Sequence, residues 1–192
     1  ESPAKGRKIQ KFLNGSGIKV TSSFGHINNL DTEKLDAMIT NNFTPIYKSS
    51  KDKAKYIKEL KSLGKGKDII LAADDDREGD AIAWHCGNLF KTDFTKNNRI
   101  TFNEISKKAI DKALKNKHTL NMNSVNSQRC RQLLDLMIGF KLSPLLWENI
   151  QTDQKGLSAG RVQSTLLLLL KNLEDQITNF ESTSAYIFSG NF

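Results

Sequence analysis

The stretch DIILAADDDREGD, which runs from Asp68 to Asp80, joins an apolar segment directly to an acidic one. Its apolar part, Ile69 to Ala73, has the length of a strand and no polar alternation, which is typical of a strand covered on both faces. Helical spacing of apolar residues resumes from Gly79 to Phe90. A buried strand, an acidic turn and a helix in this order predict an α/β domain whose ligands bind at the carboxyl end of the strand.

Similar alternation continues on both sides of this stretch. Further helices are predicted at residues 6–13 and 51–63, and further strands at residues 18–24 and 99–102. This order favours a mainly parallel sheet with flanking helices. From Ser106 onward only helical spacing remains, in the segments 125–142 and 162–177. The first of these is expected to place Cys130 and Leu133 on its apolar face and Gln128 on its polar face.

The change from mixed to purely helical spacing sets the predicted domain boundaries. We predict an α/β domain over residues 1–115 and a mostly α-helical domain over residues 116–184. Residues 185–192 have the composition of a strand, and we expect them to begin a further domain. Because the first residue is not methionine, the sequence is expected to be a fragment or a processed product.

Composition narrows the class of protein. The 192 residues contain 29 Lys and Arg against 21 Asp and Glu, a net charge of +8, which fits a polyanionic partner but also a solvated lysine surface. The longest apolar run, Leu166–Leu170, is far shorter than the ~20 residues of a spanning helix, so no membrane partner is expected. Two cysteines and a polar amino terminus predict a reducing compartment, cytoplasmic or associated with the nucleoid or nucleus, and no secretion.

The acidic cluster suits a divalent cation. Asp74, Asp76 and Glu78 converge if this segment is extended or turning, and such oxygen-rich sites suit Mg²⁺. A solvated acidic turn is the alternative interpretation. An EF-hand is excluded, because its twelfth position would be His85 in place of the required glutamate, and a strand precedes the cluster.

A carboxylate and a lysine at the amino terminus are further candidates. Glu1 and Lys5 flank a proline at the start of a predicted helix, where both residues can lie beside the acidic cluster. A structural helical turn with no role in chemistry is the alternative.

Six motifs occur in an order that resembles the type IA DNA topoisomerases. They are ESPAK at residues 1–5, SFGHI at 23–27, LAADDDREGDAIAWH at 71–85, RITFNEI at 99–105, LSPLLW at 142–147 and LSAGRVQS at 157–164. The resemblance implies a TOPRIM domain, as in primases and some nucleases, over residues 1–115. It also implies a helical domain that binds single-stranded DNA over residues 116–184, and the first strand of a gate domain in residues 185–192.

The resemblance also implies roles for the acidic residues. Asp74 and Asp76 become a metal-binding pair for Mg²⁺, and Glu78 completes the triad. Glu1 becomes a carboxylate for proton transfer and metal binding, and Lys5 stabilises charge on the scissile phosphate. Enzymes of the family cut one DNA strand through a 5′-phosphotyrosine link, pass a strand and religate, which relaxes negatively supercoiled DNA. Phosphoryl transfer of this kind depends on positioning, a divalent cation and fixed positive charge.

DNA contacts are expected from three regions. One is a loop that opens a helix, where free backbone N–H groups favour a phosphate; its residues are Ser158, Ala159, Gly160, Arg161, Val162 and Gln163. A plain helix cap is the alternative. The resemblance adds His26 near the active site and, on the helix from Val125, Arg131 and Gln132. The partner is therefore expected to be single-stranded segments of negatively supercoiled DNA, and the protein a monomer.

Departures from the family pattern limit these expectations. Gln132 and Leu136 stand where the common bacterial form has arginines, which puts the usual sequence preference in doubt, and Asp80 replaces a common glutamate. Tyr47, Tyr56 and Tyr186 are the tyrosines of the chain, and none has the sequence context of the family nucleophile. We therefore expect an amino-terminal fragment that does not cleave DNA by itself. A TOPRIM-type metal-dependent nuclease or primase, and a noncatalytic DNA-binding module, are the alternatives.

Overall fold

A computed structural model describes residues 2–150 and 156–191. The chain divides into two compact units, Glu1–Leu134 and Asp135–Phe192. The helices are α1 (Pro3–Phe12), α2 (Leu35–Thr40), α3 (Ala54–Gly64), α4 (Arg77–Phe90), α5 (Lys107–Lys115), α6 (Met122–Asn149) and α7 (Arg161–Thr178), and short 3₁₀ turns cover Thr32–Lys34 and Lys51–Lys53. The strands are β1 (Asn28–Leu30), β2 (Tyr47–Ser49), β3 (Leu71–Ala73) and β4 (Arg99–Thr101).

A parallel pair of strands lies at the centre of the first unit. β3 and β4 pair with Leu71 opposite Arg99 and Ala72 opposite Ile100. Side chains of residues opposite each other lie on the same face, so Leu71 and Ile100, which are not opposite each other but one position apart, lie on opposite faces of the sheet. The two faces pack in separate clusters, in which Ile100 contacts Ile9, Leu13, Phe102, Ile110 and Ala113, and Leu71 contacts Ala83, Leu120 and Val125. Helices thus cover both faces, which confirms the predicted α/β class. The other pair, β1 with β2, is antiparallel.

The turn from β3 into α4 brings the acidic residues to the end of the sheet. The Asp76 carboxylate caps α4 by accepting a hydrogen bond from the Gly79 N–H at 2.6 Å. A Cβ atom at Gly79 would lie 2.3 Å from the Asp74 carbonyl oxygen, so only glycine fits this close approach. The helix therefore starts tightly against the acidic turn.

Two details of the sequence prediction are wrong. Residues 18–24 form no strand, and the Gln10 side chain hydrogen-bonds part of their backbone instead: its amide donates to the Ile18 carbonyl at 3.2 Å and its oxygen accepts from the Val20 N–H at 2.7 Å. On α6, Leu133 is buried as expected, but Cys130 is exposed and Gln128 is buried. Gln128 is buried because its side-chain amide donates a hydrogen bond to the Glu78 carboxylate.

The second unit holds the carboxyl-terminal part of α6, a connecting segment and α7. Ser143 Oγ accepts a hydrogen bond from the Ala159 N–H at 3.1 Å, and Trp147 donates to the Leu157 carbonyl. The leucines from Leu166 to Leu170 are 51–67% exposed. From 180 to 191 the described chain has no helix or strand, so the strand predicted at residue 185 is not formed, and the assignment of residues 185–192 to a further domain stays a prediction. None of the helices within the described ranges is long and apolar enough to cross a membrane.

Candidate active site

An open cleft lies where the carboxyl ends of β3 and β4 meet. Because parallel strands end at the same edge, the residues after each strand are brought side by side. The cleft has a volume of about 330 Å³ and is lined by Lys5, Asp74, Asp75, Asp76, Phe102, Asn103, Glu104 and Ile105. Sequence reasoning missed a role for Asn103 and Glu104, although both lie in the quoted RITFNEI motif directly after β4.

A lysine from α1 reaches into this cleft. The Lys5 ammonium donates to both carboxylate oxygens of Asp74, at 2.7 and 3.0 Å. About two fifths of each side chain remains exposed, so the pair stays open to solvent and to a ligand. The expected proximity of Lys5 to the acidic cluster is therefore found. Glu1, the other candidate at this end, lies outside the described residues.

The three carboxylates predicted to converge have separate partners. Asp74 forms an ion pair with Lys5, and Asp76 caps α4. Glu78 forms hydrogen bonds with the His26 imidazole and the Gln128 amide. Over residues 2–150 and 156–191, no group of three or more His, Cys, Asp or Glu side chains is placed to hold a metal ion. The three carboxylates were expected to converge if the segment is extended or turning, but α4 begins at Arg77, and their joint role in holding a metal stays a prediction. Glu78 already lies on the helix, where each residue is rotated from the last.

Glu78 instead belongs to a polar contact between two helices and a loop. The His26 Nε2 atom meets Glu78 Oε1, and the Gln128 side chain donates to the other oxygen, Glu78 Oε2. Gln128 is 9% exposed, and its hydrogen bond to Glu78 explains why it is buried although it lies on the face of α6 that was predicted to be polar. No local sequence signal pointed to this contact, because Gln128 lies 50 residues from Glu78.

Arg99 holds the end of β3 below the acidic residues, and the sequence analysis did not predict this role. Its guanidinium is fully buried, pairs with the Asp80 carboxylate at 3.1 Å, and donates to the carbonyl oxygens of Ala73 at 3.0 Å and Asp74 at 2.8 Å. These carbonyls end β3, so the arginine fork fixes the backbone that carries the acidic cluster. Asp80, the shorter replacement for a common glutamate, keeps the negative charge at this ion pair.

The imidazole ring of His85 packs beside His26, the partner of Glu78, and aromatic rings pack against His85. Burial first, and then the charges of His26 and Arg129, lower the pKa of His85 from 6.5 to about 4. The Asn28 amide meets His85 Nδ1 at 3.4 Å, and the Tyr47 ring packs edge-on against His85. His85 is therefore neutral at neutral pH.

Gln132, one of the two side chains on α6 that were predicted to contact DNA, lies near these rings. The Tyr47 hydroxyl donates to the Gln132 side-chain oxygen at 3.4 Å, and the Arg129 guanidinium lies over the Trp84 ring. Arg131 is half-buried on the same helix. Contact of Arg131 and Gln132 with DNA stays a prediction.

The predicted phosphate-binding loop lies in the second unit, at the start of α7. Gly160 is the N-cap, and the Gln163 amide donates to the Ser158 carbonyl at 2.7 Å and hydroxyl at 2.8 Å. The Arg161 guanidinium pairs with Asp135 at 2.6 Å, with both side chains about two fifths exposed. Ala159 and Val162 complete the loop, whose contact with DNA stays a prediction.

The donor chemistry of the cleft fits a magnesium ion. Mg²⁺ takes one or two carboxylates together with waters and substrate phosphate oxygens, and it does not need a cage made of protein alone. Asp74 and Asp76 line the same cleft and meet that requirement. Glu78 hydrogen-bonds His26 and Gln128 and is not among the residues that line the cleft, so its part in a metal site stays a prediction.

Comparison with known proteins gives matches over most of the chain. The Toprim domain family matches residues 1–105, and the DNA topoisomerase family matches residues 119–191. Among solved structures, full-length topoisomerase I from Thermotoga maritima is similar, with a TM-score of 0.83 and 39% sequence identity over 94% of this chain. The match covers 30% of that chain, so the present sequence spans less than a third of its length.

Proposed function

Because the chain belongs to the type IA DNA topoisomerases and contains their Toprim domain, we propose that it supplies the acidic site and part of the DNA-binding surface of such an enzyme. The complete enzyme makes a transient single-strand break through a 5′-phosphotyrosine link, passes a strand and religates, and so relaxes negatively supercoiled DNA. None of Tyr47, Tyr56 and Tyr186 has the sequence context of the family nucleophile, so the proposed role of these 192 residues does not include the nucleophile. The topoisomerase match over residues 119–191 favours this function over a Toprim nuclease or primase.

The observation that carries the proposal is the pairing of Lys5 with Asp74 in a cleft that Asp76 also lines. Toprim domains are metal-binding domains that typically take Mg²⁺. Asp74 and Asp76 would hold that ion here, and the bound ion would supply positive charge to phosphate oxygens. Lys5 brings a fixed positive charge to the same cleft and, with Asp74 holding its ammonium in place, stabilises negative charge on the scissile phosphate.

Other residues are assigned positioning and binding roles. Glu78 orients His26, which approaches the DNA beside the cleft, and Glu1 acts in proton transfer and metal binding. Gln128 keeps Glu78 in place by its amide hydrogen bond. The segment Ser158–Gln163 and the helix residues Arg131 and Gln132 bind single-stranded DNA.

The test is relaxation of negatively supercoiled plasmid by the complete enzyme. Asp74→Asn combined with Asp76→Asn keeps the side-chain shapes, and it is expected to abolish relaxation at all Mg²⁺ concentrations because both metal ligands lose their charge. The matched control is Asp36→Asn with Asp68→Asn, which removes the same charge from exposed positions outside the cleft and is expected to leave relaxation unchanged. Normal relaxation by the Asp74 and Asp76 double variant would refute the metal assignment.

A further inference from the structure

The loop from Ser22 to His26 holds an exposed aromatic ring in a backbone conformation that side chains rarely adopt. Phe24 has a φ of 53° and is 51% exposed, and Gly25 follows with a φ of 80°. A residue other than glycine in the left-handed region is strained, and it persists where surrounding contacts hold it. Contacts from outside the loop are therefore needed to keep Phe24 in this position.

Lys53 and Tyr56 supply these contacts. The Lys53 ammonium donates to the carbonyl oxygens of Phe24 at 2.7 Å and His26 at 2.6 Å, on either side of Gly25. The Tyr56 hydroxyl donates to the Ser22 carbonyl, and its ring meets the Phe24 ring edge-on with centroids 4.6 Å apart. The loop backbone and one side of the Phe24 ring are thus fixed, and half of the residue is left facing solvent.

The segment that holds this ring in place is rich in lysine. Residues 51–67, which include the two residues that hold the loop, contain seven lysines and two acidic residues, Asp52 and Glu59. On the other side of the loop, His26 contacts Glu78 next to the acidic cleft. An exposed aromatic ring beside positive charge is the combination that binds single-stranded nucleic acid, in which bases stack on the ring and phosphates meet the cations.

We propose that Phe24 stacks against an unpaired base of single-stranded DNA beside the cleft. The inference rests on the proposed function, which brings a single strand to this edge of the sheet. Stacking of this kind tolerates any base, because every base has a π-face. Rigid support by Lys53 and Tyr56 lowers the entropy that the ring loses when a base binds it.

The experiment measures binding of fluorescent single-stranded DNA to the 192-residue chain by anisotropy, without divalent cations. The probe is an oligothymidine of about 12 nucleotides, within the site sizes of known single-strand binders. Phe24→Ala is expected to weaken binding by at least about fivefold, the loss of one stacked base. The slope of affinity against salt should stay the same, because no charge is removed. Phe24→Trp keeps an aromatic ring and should restore the affinity.

Phe43 provides a matched control, because it has a φ of 54° and is 53% exposed but lies between α2 and β2. Phe43→Ala should leave the affinity unchanged. Tyr56→Leu removes the edge-on support without changing the charge and should weaken binding about twofold to tenfold. A second probe, an abasic strand of equal length, should bind the wild type and Phe24→Ala equally well.

The possible outcomes separate this proposal from the function on which it rests. Wild-type affinity in Phe24→Ala overturns the stacking proposal alone. So does an equal loss of affinity for the abasic strand, which would mean that Phe24 shapes the loop for other contacts or packs against protein. If the wild-type chain does not bind the oligothymidine, both the stacking and the DNA-binding part of the proposed function are overturned. The Asp74 and Asp76 relaxation test is independent of all these results, because binding here is measured without metal.

Discussion

Replacement of Arg99 by methionine is expected to destabilise the first unit strongly. Arg99 is fully buried and Asp80 is 8% exposed, so the substitution leaves a carboxylate buried without its partner, which typically costs about 3–5 kcal/mol. The carbonyl oxygens of Ala73 and Asp74 also lose a donor. Such losses in one network overlap, so we expect a total decrease of about 4 kcal/mol in the free energy of unfolding.

Urea denaturation followed by circular dichroism measures this decrease. Arg77→Met removes the same charge from an exposed position on the first turn of α4 and should change the free energy of unfolding by less than about 0.5 kcal/mol. Combining Arg99→Met with Asp80→Asn removes the unpaired charge as well, so the double variant should be at least about 1 kcal/mol more stable than the sum of the single changes predicts. A loss below about 1 kcal/mol for Arg99→Met, or strict additivity in the double variant, would refute the reasoning.

Three further predictions concern protonation, helix capping and charge. The pKa of His85 is about 4 in the folded chain and about 6.5 in the unfolded chain. The neutral imidazole therefore contributes to the free energy of unfolding above pH 6.5, and this contribution is lost as the pH falls toward 4. Between pH 7 and pH 5 the wild type should therefore lose about 2 kcal/mol more than His85→Gln in urea denaturation, and equal losses would contradict the shift. Asp76→Ala should lower the free energy of unfolding by about 1 kcal/mol through loss of the α4 cap, whereas Asp76→Asn should cost much less, because asparagine caps equally well. Arg161→Ala should weaken binding of single-stranded DNA and reduce the slope of log affinity against log salt by about 0.7, as expected for one phosphate contact, and an unchanged slope would argue against that contact.

The position of the acidic site was predictable from the sequence because local rules determine it. The apolar run before Asp74 indicated a buried strand, and ligands bind at the carboxyl ends of such strands. Glu78 lies on α4, which begins at Arg77, so its hydrogen bonds to His26 and Gln128 could not be read from the acidic run alone. Residues 18–24 alternate like a strand, yet the backbone groups of Ile18 and Val20 are hydrogen-bonded by the Gln10 side chain and not by a neighbouring strand.

Contacts between distant segments were beyond local patterns. Gln128 meets Glu78, Arg99 meets the end of β3, and Lys53 meets the loop of His26, and each of these contacts joins segments that are far apart in the chain. A buried arginine or glutamine looks in sequence like any exposed one, because its burial depends on the partner that satisfies it. The residues that shape the site could therefore be identified only from the structure.

The parallel pairing of β3 with β4 has a consequence for the rate of refolding. The two strands are separated by the whole of α4, so the pair forms only when this crossover closes, at the cost of loop entropy. The same closure brings Glu104 toward the carboxylates of Asp74, Asp75 and Asp76, so it gathers like charges as well as ordering the chain. Salt screens that repulsion, and refolding of the first unit is therefore expected to become faster as the ionic strength rises.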